Sequence, residues 1–363
     1  MYNVKIYGAG SIGNHLANAS RRMGWDVTIC DLDPAALQRT REEIYPARYG
    51  QWDESIQLCA AGKAPREGFD LIFIGTPPDS HMNLAIQAIA EKPKAVLVEK
   101  PLCTPEMEKA DELYSLARET GVEVFVGYNH VVSSVADKAV ELVPYLGAIE
   151  TLDVEFREHW GGIFTAHPWL DGPQDSYLGF WQKGGGASGE HSHAINLWQH
   201  LARSLGAGRV TEVDASLEYV KTDLVDYDKL CLLNLRTENG LVGRVVQDVV
   251  TQPSRKWGRV QGKDGFVDIM IGSEDRIQWQ YSGNPTEGMV FKKTRPDDFI
   301  AELKHIEAIL KGGQGKSSIS LECGLDTMLI VAAAHLANSQ GQRVMIDYAK
   351  GYSLDALTVA AKP

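Results

Sequence analysis

Apolar positions in the first part of the chain fall into short, nearly unbroken runs at 4–7, 27–30, 69–74, 95–98 and 122–126. Runs of this kind mark strands buried on both faces. Between them the apolar residues recur at helical spacing, over 14–23, 35–43 and 80–91, where Met82, Ala85, Ile86 and Ile89 share one face. Thr104 reads as an N-cap with Pro105 at the first position of a further helix that Gly121 stops. The stretch 45–68 predicts a short helix near 53–61 and loop. Strand and helix alternate throughout, which predicts a doubly wound parallel α/β sheet over residues 1–128.

The texture then changes. A helix over 133–143 is followed by longer strand patterns at 149–156, 210–220, 229–236, 242–250, 256–261 and 266–271, with hairpin signals at Asn239-Gly240 and Asp264-Gly265. Two late helices, 298–310 and 325–339, complete the chain. Residues 129–363 therefore read as an α+β domain with a large, mostly antiparallel open sheet. A sheet face without helices is often covered by a second subunit, so a homodimer or homotetramer through this sheet is expected.

Composition narrows the function classes. The 363 residues are 44% apolar and 23% charged, with net charge −12 and an isoelectric point near 5.3. That balance argues against nucleic acid or an anionic membrane as the main partner. No window of 18 apolar residues occurs, so no membrane span is expected. The first strand begins almost at Met1, which leaves no room for a signal peptide. The five cysteines are scattered, with no C-x-x-C pair, and fit a reducing cytoplasm rather than a disulfide framework or zinc knuckle.

The candidate chemistry starts where the first strand ends. Gly8-Ala9-Gly10-Ser11-Ile12-Gly13 has the G-x-G-x-x-G spacing between a strand and a helix. Gly8 permits the tight turn, Gly10 lets a diphosphate approach the backbone, and Gly13 lets the helix lie against the strand. The helix N-terminus then faces the phosphates. Asp31 ends the second strand 18 residues after Gly13, placed to accept from ribose hydroxyls and to repel a 2′-phosphate. No arginine stands beside it in sequence, so NAD is favoured over NADP. Pro77 and Pro78, and later Pro101, stop strands at the sheet edge where ligands bind in such folds.

Taken together, the glycine turn, Thr76-Pro77 with His81, Glu99-Lys100-Pro101, and the run Gly184-Gly185-Gly186 before a histidine-bearing helix resemble the Gfo/Idh/MocA family over nearly the whole chain. These are nicotinamide-dependent Rossmann oxidoreductases acting largely on sugars and cyclitols. The resemblance implies that Gly8, Gly10, Ser11, Ile12, Gly13, Asp31, Thr76, Pro77, His81, Glu99 and Lys100 serve the cofactor. It also implies a cis peptide between Lys100 and Pro101, and Lys100 near both nicotinamide and the reacting carbinol. An ammonium there would stabilise alkoxide charge. The family's D-x-G-x-H-x-x-D motif aligns His193 with its general acid/base. Here Gly189, His191 and Asn196 replace the usual aspartate, glycine and second aspartate, while Glu190 offers a carboxylate one position later. The catalytic candidates are thus Lys100, His193 and Glu190.

On a helix, His193, Asn196 and His200 share a face, and the helix N-terminus disfavours imidazolium at His193. His191 and His193 would point about 200° apart, which argues against a metal site. Substrate contacts are expected from Tyr128, Asn129 and His130 after the last strand of the first domain, from His191, Asn196 and Arg255, and from Trp160 in an aromatic-rich segment with His159, His167, Trp169, Tyr177 and Trp181. The reading is an NAD-dependent oxidoreductase moving a hydride between nicotinamide and a secondary alcohol or ketone of a sugar-like substrate. Alternatives on the same fold are an NAD- or sugar-sensing regulator without turnover and an NAD-dependent glycosidase.

Overall fold

The computed structural model describes residues 1–165, 167, 169–313 and 315–361. The first part builds β1 (Asn3–Tyr7), α1 (Ser11–Arg22), β2 (Asp26–Asp31), α2 (Pro34–Arg39), α3 (Tyr45–Tyr49), β3 (Ile56–Ala60), β4 (Leu71–Ile74), α4 (Pro78–Ala90), β5 (Ala95–Val98), α5 (Ala110–Thr120) and β6 (Glu123–Val126). The strands form one parallel sheet in the order β3-β2-β1-β4-β5-β6. Every residue of β4 and β5 is buried, as their unbroken apolar runs require. Strand order reverses between β1 and β4, which opens a crevice at their carboxyl ends.

Two sequence expectations change here. Residues 56–60 form an edge strand, not part of a helix, and only Ile56 in it is buried. An edge strand covered on one side carries too few apolar positions to show a strand pattern. The helix expected from Pro105 starts at Ala110, because Met107 (φ 56°) and Lys109 (φ 61°) leave the helical region first.

The second part contains α6 (Ser134–Leu142), β7 (Ile149–Arg157), α7 (Trp160–Thr165), α8 (Gly186–Glu190), α9 (His193–Ser204), β8 (Val210–Lys221), β9 (Asp226–Thr237), β10 (Val242–Asp248), β11 (Arg255–Gly262), β12 (Gly265–Met270), β13 (Glu274–Tyr281), β14 (Glu287–Lys292), α10 (Arg295–Leu310), α11 (Leu321–Gln340), β15 (Val344–Ile346) and β16 (Leu357–Val359). Among the described residues these strands make a ten-stranded sheet, β14-β13-β12-β11-β7-β10-β9-β8-β15-β16. It is antiparallel except where β7 and β10 run parallel. Helices α6, α8, α9 and α11 pack against it. Cys231, Leu233 and Leu235 of β9 are buried, whereas the intervening Leu232 is 42% exposed. Among the described residues, one sheet face is therefore left without helices.

Two late helices return to the first sheet. The amide of Val126 donates to the Ile319 carbonyl at 2.8 Å, and α11 follows directly. Helix α10 lies along α1, with the Phe299 ring stacked on His15 at 4.7 Å. It also buries Glu302 completely, leaving both carboxylate oxygens without a hydrogen-bond partner. Burial raises the Glu302 acid well above its ordinary range, and the neighbouring Glu99 carboxylate adds to the effect. Glu99 is raised by the same burial. A carboxyl whose folded pKa is raised contributes stability at low pH and loses it as pH climbs from its unfolded value through the folded one. Glu302→Gln, which mimics the protonated acid, should therefore raise the melting temperature more at pH 8 than at pH 5. Thermal melts of both proteins across that range check this, and an equal offset at both ends rejects it.

Candidate active site

The glycine turn sits at the mouth of the crevice. Gly8 holds φ +103° against Gly75, and a Cβ at Gly13 would overlap the Gly8 carbonyl, so α1 approaches β1 as closely as its sequence allows. At Gly10 a Cβ would meet nothing within 4 Å, so the backbone faces open space there. The Asp31 carboxylate is fixed at the end of β2 by the Ala9 and Asp33 amides, at 2.7 and 2.9 Å. The adjoining cleft, about 1540 Å³, is walled by Gly8, Gly10, Asp31, Thr76 and Pro77. An open glycine backbone, a helix N-terminus and a fixed carboxylate are the groups an adenine dinucleotide requires. The fold also brings Arg39 and Arg66 to the wall of this cleft, although neither adjoins Asp31 in sequence. Arg39 lies 5.9 Å from the Trp169 ring of the second part.

Lys100 follows β5 and precedes a cis peptide to Pro101. Its ammonium donates to the Glu190 carbonyl and to Glu190 Oε2, both at 3.0 Å. Burial alone would raise the Glu190 acid, but the Lys100 ammonium, then His191, hold it below the usual carboxylate value. Two residues assigned to the cofactor lie behind this edge. His81 is completely buried and bridges the Thr76 and Pro101 carbonyls at 2.7 and 3.0 Å. Glu99 is buried against Gly127 and accepts from the Lys100 amide at 3.3 Å. Both brace the loops that carry Thr76, Pro77 and Lys100.

The glycine run explains how Glu190 reaches Lys100. Gly184 packs on Pro78 and Pro101, 2.9 and 3.2 Å from where its Cβ would stand. Gly186 has φ +76°, and a Cβ there would overlap the Asp228 carboxylate. Asp228 in turn accepts from the Ser188 amide at 2.7 Å. Helix α8 is thereby pinned with Glu190 at its C-terminus. The helix does not continue unbroken: it stops at Glu190 and restarts at His193. The 200° separation expected for a continuous helix therefore does not hold.

His193, the first residue of α9, packs in an aromatic cage. The ring of His130 lies 4.5 Å away, Tyr128 5.5 Å and Phe156 6.4 Å. Its Nδ1 is buried without a partner. Burial, then His130, then Lys100 and Lys256 push its pKa well below the ordinary value, which makes it a neutral imidazole. His130 is neutral for the same reasons, burial first and Lys256 next. His191 is lowered to about 4, mainly by burial, against the opposing pull of Glu190.

The structure brings together Lys100, Glu190, His191, His193 and His130, with Asn129 beside them, its Oδ1 buried and unpartnered. Other expected substrate contacts turn away. Tyr128 is completely buried and donates to Ser192 Oγ at 3.3 Å. Trp160 stacks on Phe164 in the core. Asn196 donates to Thr327 Oγ1 at 3.1 Å, tying α9 to α11. Arg255 is 55% exposed and pairs with Glu155 at 3.2 Å. Its neighbour Lys256 projects to the opposite face, pairs with Glu158 at 2.8 Å and acts on all three histidines. Strand alternation carried that signal, since adjacent residues of β11 face opposite ways.

Residues 2–128 match the model of the GFO_IDH_MocA family, described as an oxidoreductase family with an NAD-binding Rossmann fold. Over those residues the chain is similar to the NAD-binding Rossmann domain of that family. No curated protein sequence matches the chain. Solved structures share the fold over almost its whole length. A levoglucosan dehydrogenase in complex with NADH is 18% identical, with TM-score 0.75, covering 95% of this chain and 98% of the other. An Agrobacterium radiobacter oxidoreductase, solved with NAD+, L-tartaric acid and magnesium, is 20% identical with TM-score 0.74 over 95% and 98%. A putative myo-inositol dehydrogenase from Sinorhizobium meliloti is 17% identical with TM-score 0.70 over 95% and 99%.

Gly186→Ala should destabilise the protein by about 1–3 kcal/mol, the cost of a side chain forced into a left-handed backbone against a carboxylate. Urea denaturation measures it, and an unchanged midpoint would show that the turn tolerates a Cβ.

Proposed function

We propose that the chain is an NAD-dependent dehydrogenase or reductase acting on a secondary alcohol or ketone of a sugar, cyclitol or related polyol. Residues 1–128 hold the cofactor and 129–363 supply the substrate wall and proton chemistry. The observation that carries the reading is the contact of Lys100, from the edge of the Rossmann sheet, with Glu190 of the second part, close enough to His193 for the ammonium to disfavour its imidazolium. The dinucleotide would be held by the N–H groups of the glycine turn, with Asp31 on its ribose; when bound it supplies the hydride acceptor or donor. The resemblance to proteins crystallised with NADH supports that choice.

The protein's own groups perform the rest. The Lys100 ammonium donates to the substrate oxygen and stabilises negative charge as the carbon–hydrogen bond breaks. Glu190 fixes the ammonium rather than orienting His193. The imidazole of His193, uncharged at neutral pH, accepts the hydroxyl proton in oxidation and returns it in reduction. His130 and His191 border it as uncharged hydrogen-bonding groups for further hydroxyls. The uncovered sheet face, with Leu232 and Val242 at 42% and 41% exposure, is the surface we assign to self-association. All five cysteines are free, as suits a reducing cytoplasm, and among the described residues no helix is long and apolar enough to cross a membrane.

Lys100→Ala and His193→Ala should each lower turnover of a responsive polyol by roughly 10²–10⁴-fold while NADH affinity stays within a few-fold. Steady-state rates and NADH fluorescence titration check this, and near-normal turnover in both rejects the assignment. Because His193 is held neutral, the acidic limb of alcohol oxidation in a kcat/KM profile should fall well below pH 6.5. A limb centred at 6.5 would show an exposed, unperturbed base instead. Light scattering at micromolar concentration should report more than one chain per particle, and a monomer overturns the assigned association surface.

A further inference from the structure

Three carbonyls of the glycine turn are held by hydrogen bonds within the protein. The Ala9 carbonyl accepts from Thr40 Oγ1 and from Asn14 Nδ2. The Gly10 carbonyl accepts from Asn14 Nδ2 at 2.8 Å and from the Asn14 amide at 3.2 Å. The Ser11 carbonyl accepts from Arg48 Nη1 at 2.8 Å. With these acceptors occupied, the unpaired N–H groups at the start of α1 are left for a ligand at the turn. The second branch of the same guanidinium, Nη2, donates to Ser11 Oγ at 2.8 Å. A hydroxyl that already accepts from a cation keeps its single proton for another partner. Arg48 thus leaves Ser11, at the start of α1, a hydroxyl proton to donate.

We propose that Arg48 is a positioning residue for the cofactor diphosphate: its fork fixes Ser11 so that the hydroxyl proton points to phosphate, and its charge adds to the positive end of α1. The inference rests on the reading that this turn binds a dinucleotide. A purely structural role, tying α3 to α1, is the competing account. Other contacts already make that tie: Tyr49 to His15 Nδ1 at 2.7 Å and Asn18 to the Tyr45 hydroxyl at 3.3 Å. Nothing in residues 45–49 would have marked Arg48 from sequence, because it lies 37 residues from the serine it serves.

The test uses the full-length protein and fluorescence titration with NADH, with ADP-ribose and adenosine as competitors. Arg48→Met should weaken NADH and ADP-ribose binding roughly tenfold to hundredfold, the scale of a lost charge-assisted hydrogen bond. Adenosine, which has no diphosphate, should bind within about twofold of the parent. Arg48→Lys, which keeps the charge but not the fork, should fall between. Ser11→Ala should weaken NADH, and the double variant should be no weaker than Arg48→Met alone, because the arginine acts partly through the serine. NADH affinity unchanged in Arg48→Met, with melting temperature and parent binding intact, overturns the proposal. So does an equal loss for adenosine, or fully multiplying effects in the double variant. A parent protein that binds no NADH at all would overturn the dinucleotide reading itself, a different outcome from any of these.

Discussion

The site depends on one charge-assisted contact. The Lys100 ammonium, delivered by the Rossmann sheet, is held by both the carbonyl and the carboxylate of Glu190, delivered by the second part of the chain. With side chains only 13% and 18% exposed, the pair has lost most of its water. Such pairs are poor sources of stability, since desolvation offsets most of their attraction. What the contact does is geometric: it fixes a cation with donors to spare beside the histidines. Three glycines, two prolines and the buried Asp228 exist around it to let α8 come that close.

Around that contact the electrostatics are divided by burial. Lys100 pairs with Glu190 and Lys256 with Glu158, while the three nearby imidazoles stay uncharged. The lysines reinforce this, since each ammonium opposes a second positive charge nearby. The result is a polar wall with little net charge, suited to a substrate whose oxygens both donate and accept. Behind Lys100, Glu99 and Glu302 are both pushed toward their protonated forms by burial.

Much of this was legible in the residues. The β-α alternation, the glycine turn, Asp31, Lys100 and His193 all fall where the pattern put them, because strand burial and backbone clearance are local demands. What escaped was set by distant packing. Asn196 looked like a substrate ligand by its spacing, but α11 supplies Thr327 to receive it. Trp160 and Tyr128 are aromatic in a cleft-rich segment, yet core packing claims both. Arg255 and Lys256 are adjacent cations, and only the strand's register decides which one enters the site. The partners of Lys256 and Arg48 lie too far along the chain for spacing to reveal them.

The hydrogen bond from the Val126 amide to the Ile319 carbonyl has a consequence for synthesis. The last strand of the Rossmann sheet is completed by a segment that leaves the ribosome almost two hundred residues later. Helix α10, which covers α1 through Phe299, is equally late. A nascent chain carrying only residues 1–128 thus exposes an unfinished sheet edge and an uncovered helix, the surfaces on which chaperones act. Maturation of the parallel sheet is thus tied to distant sequence, and its last strand is completed only once Ile319 and the start of α11 have been translated.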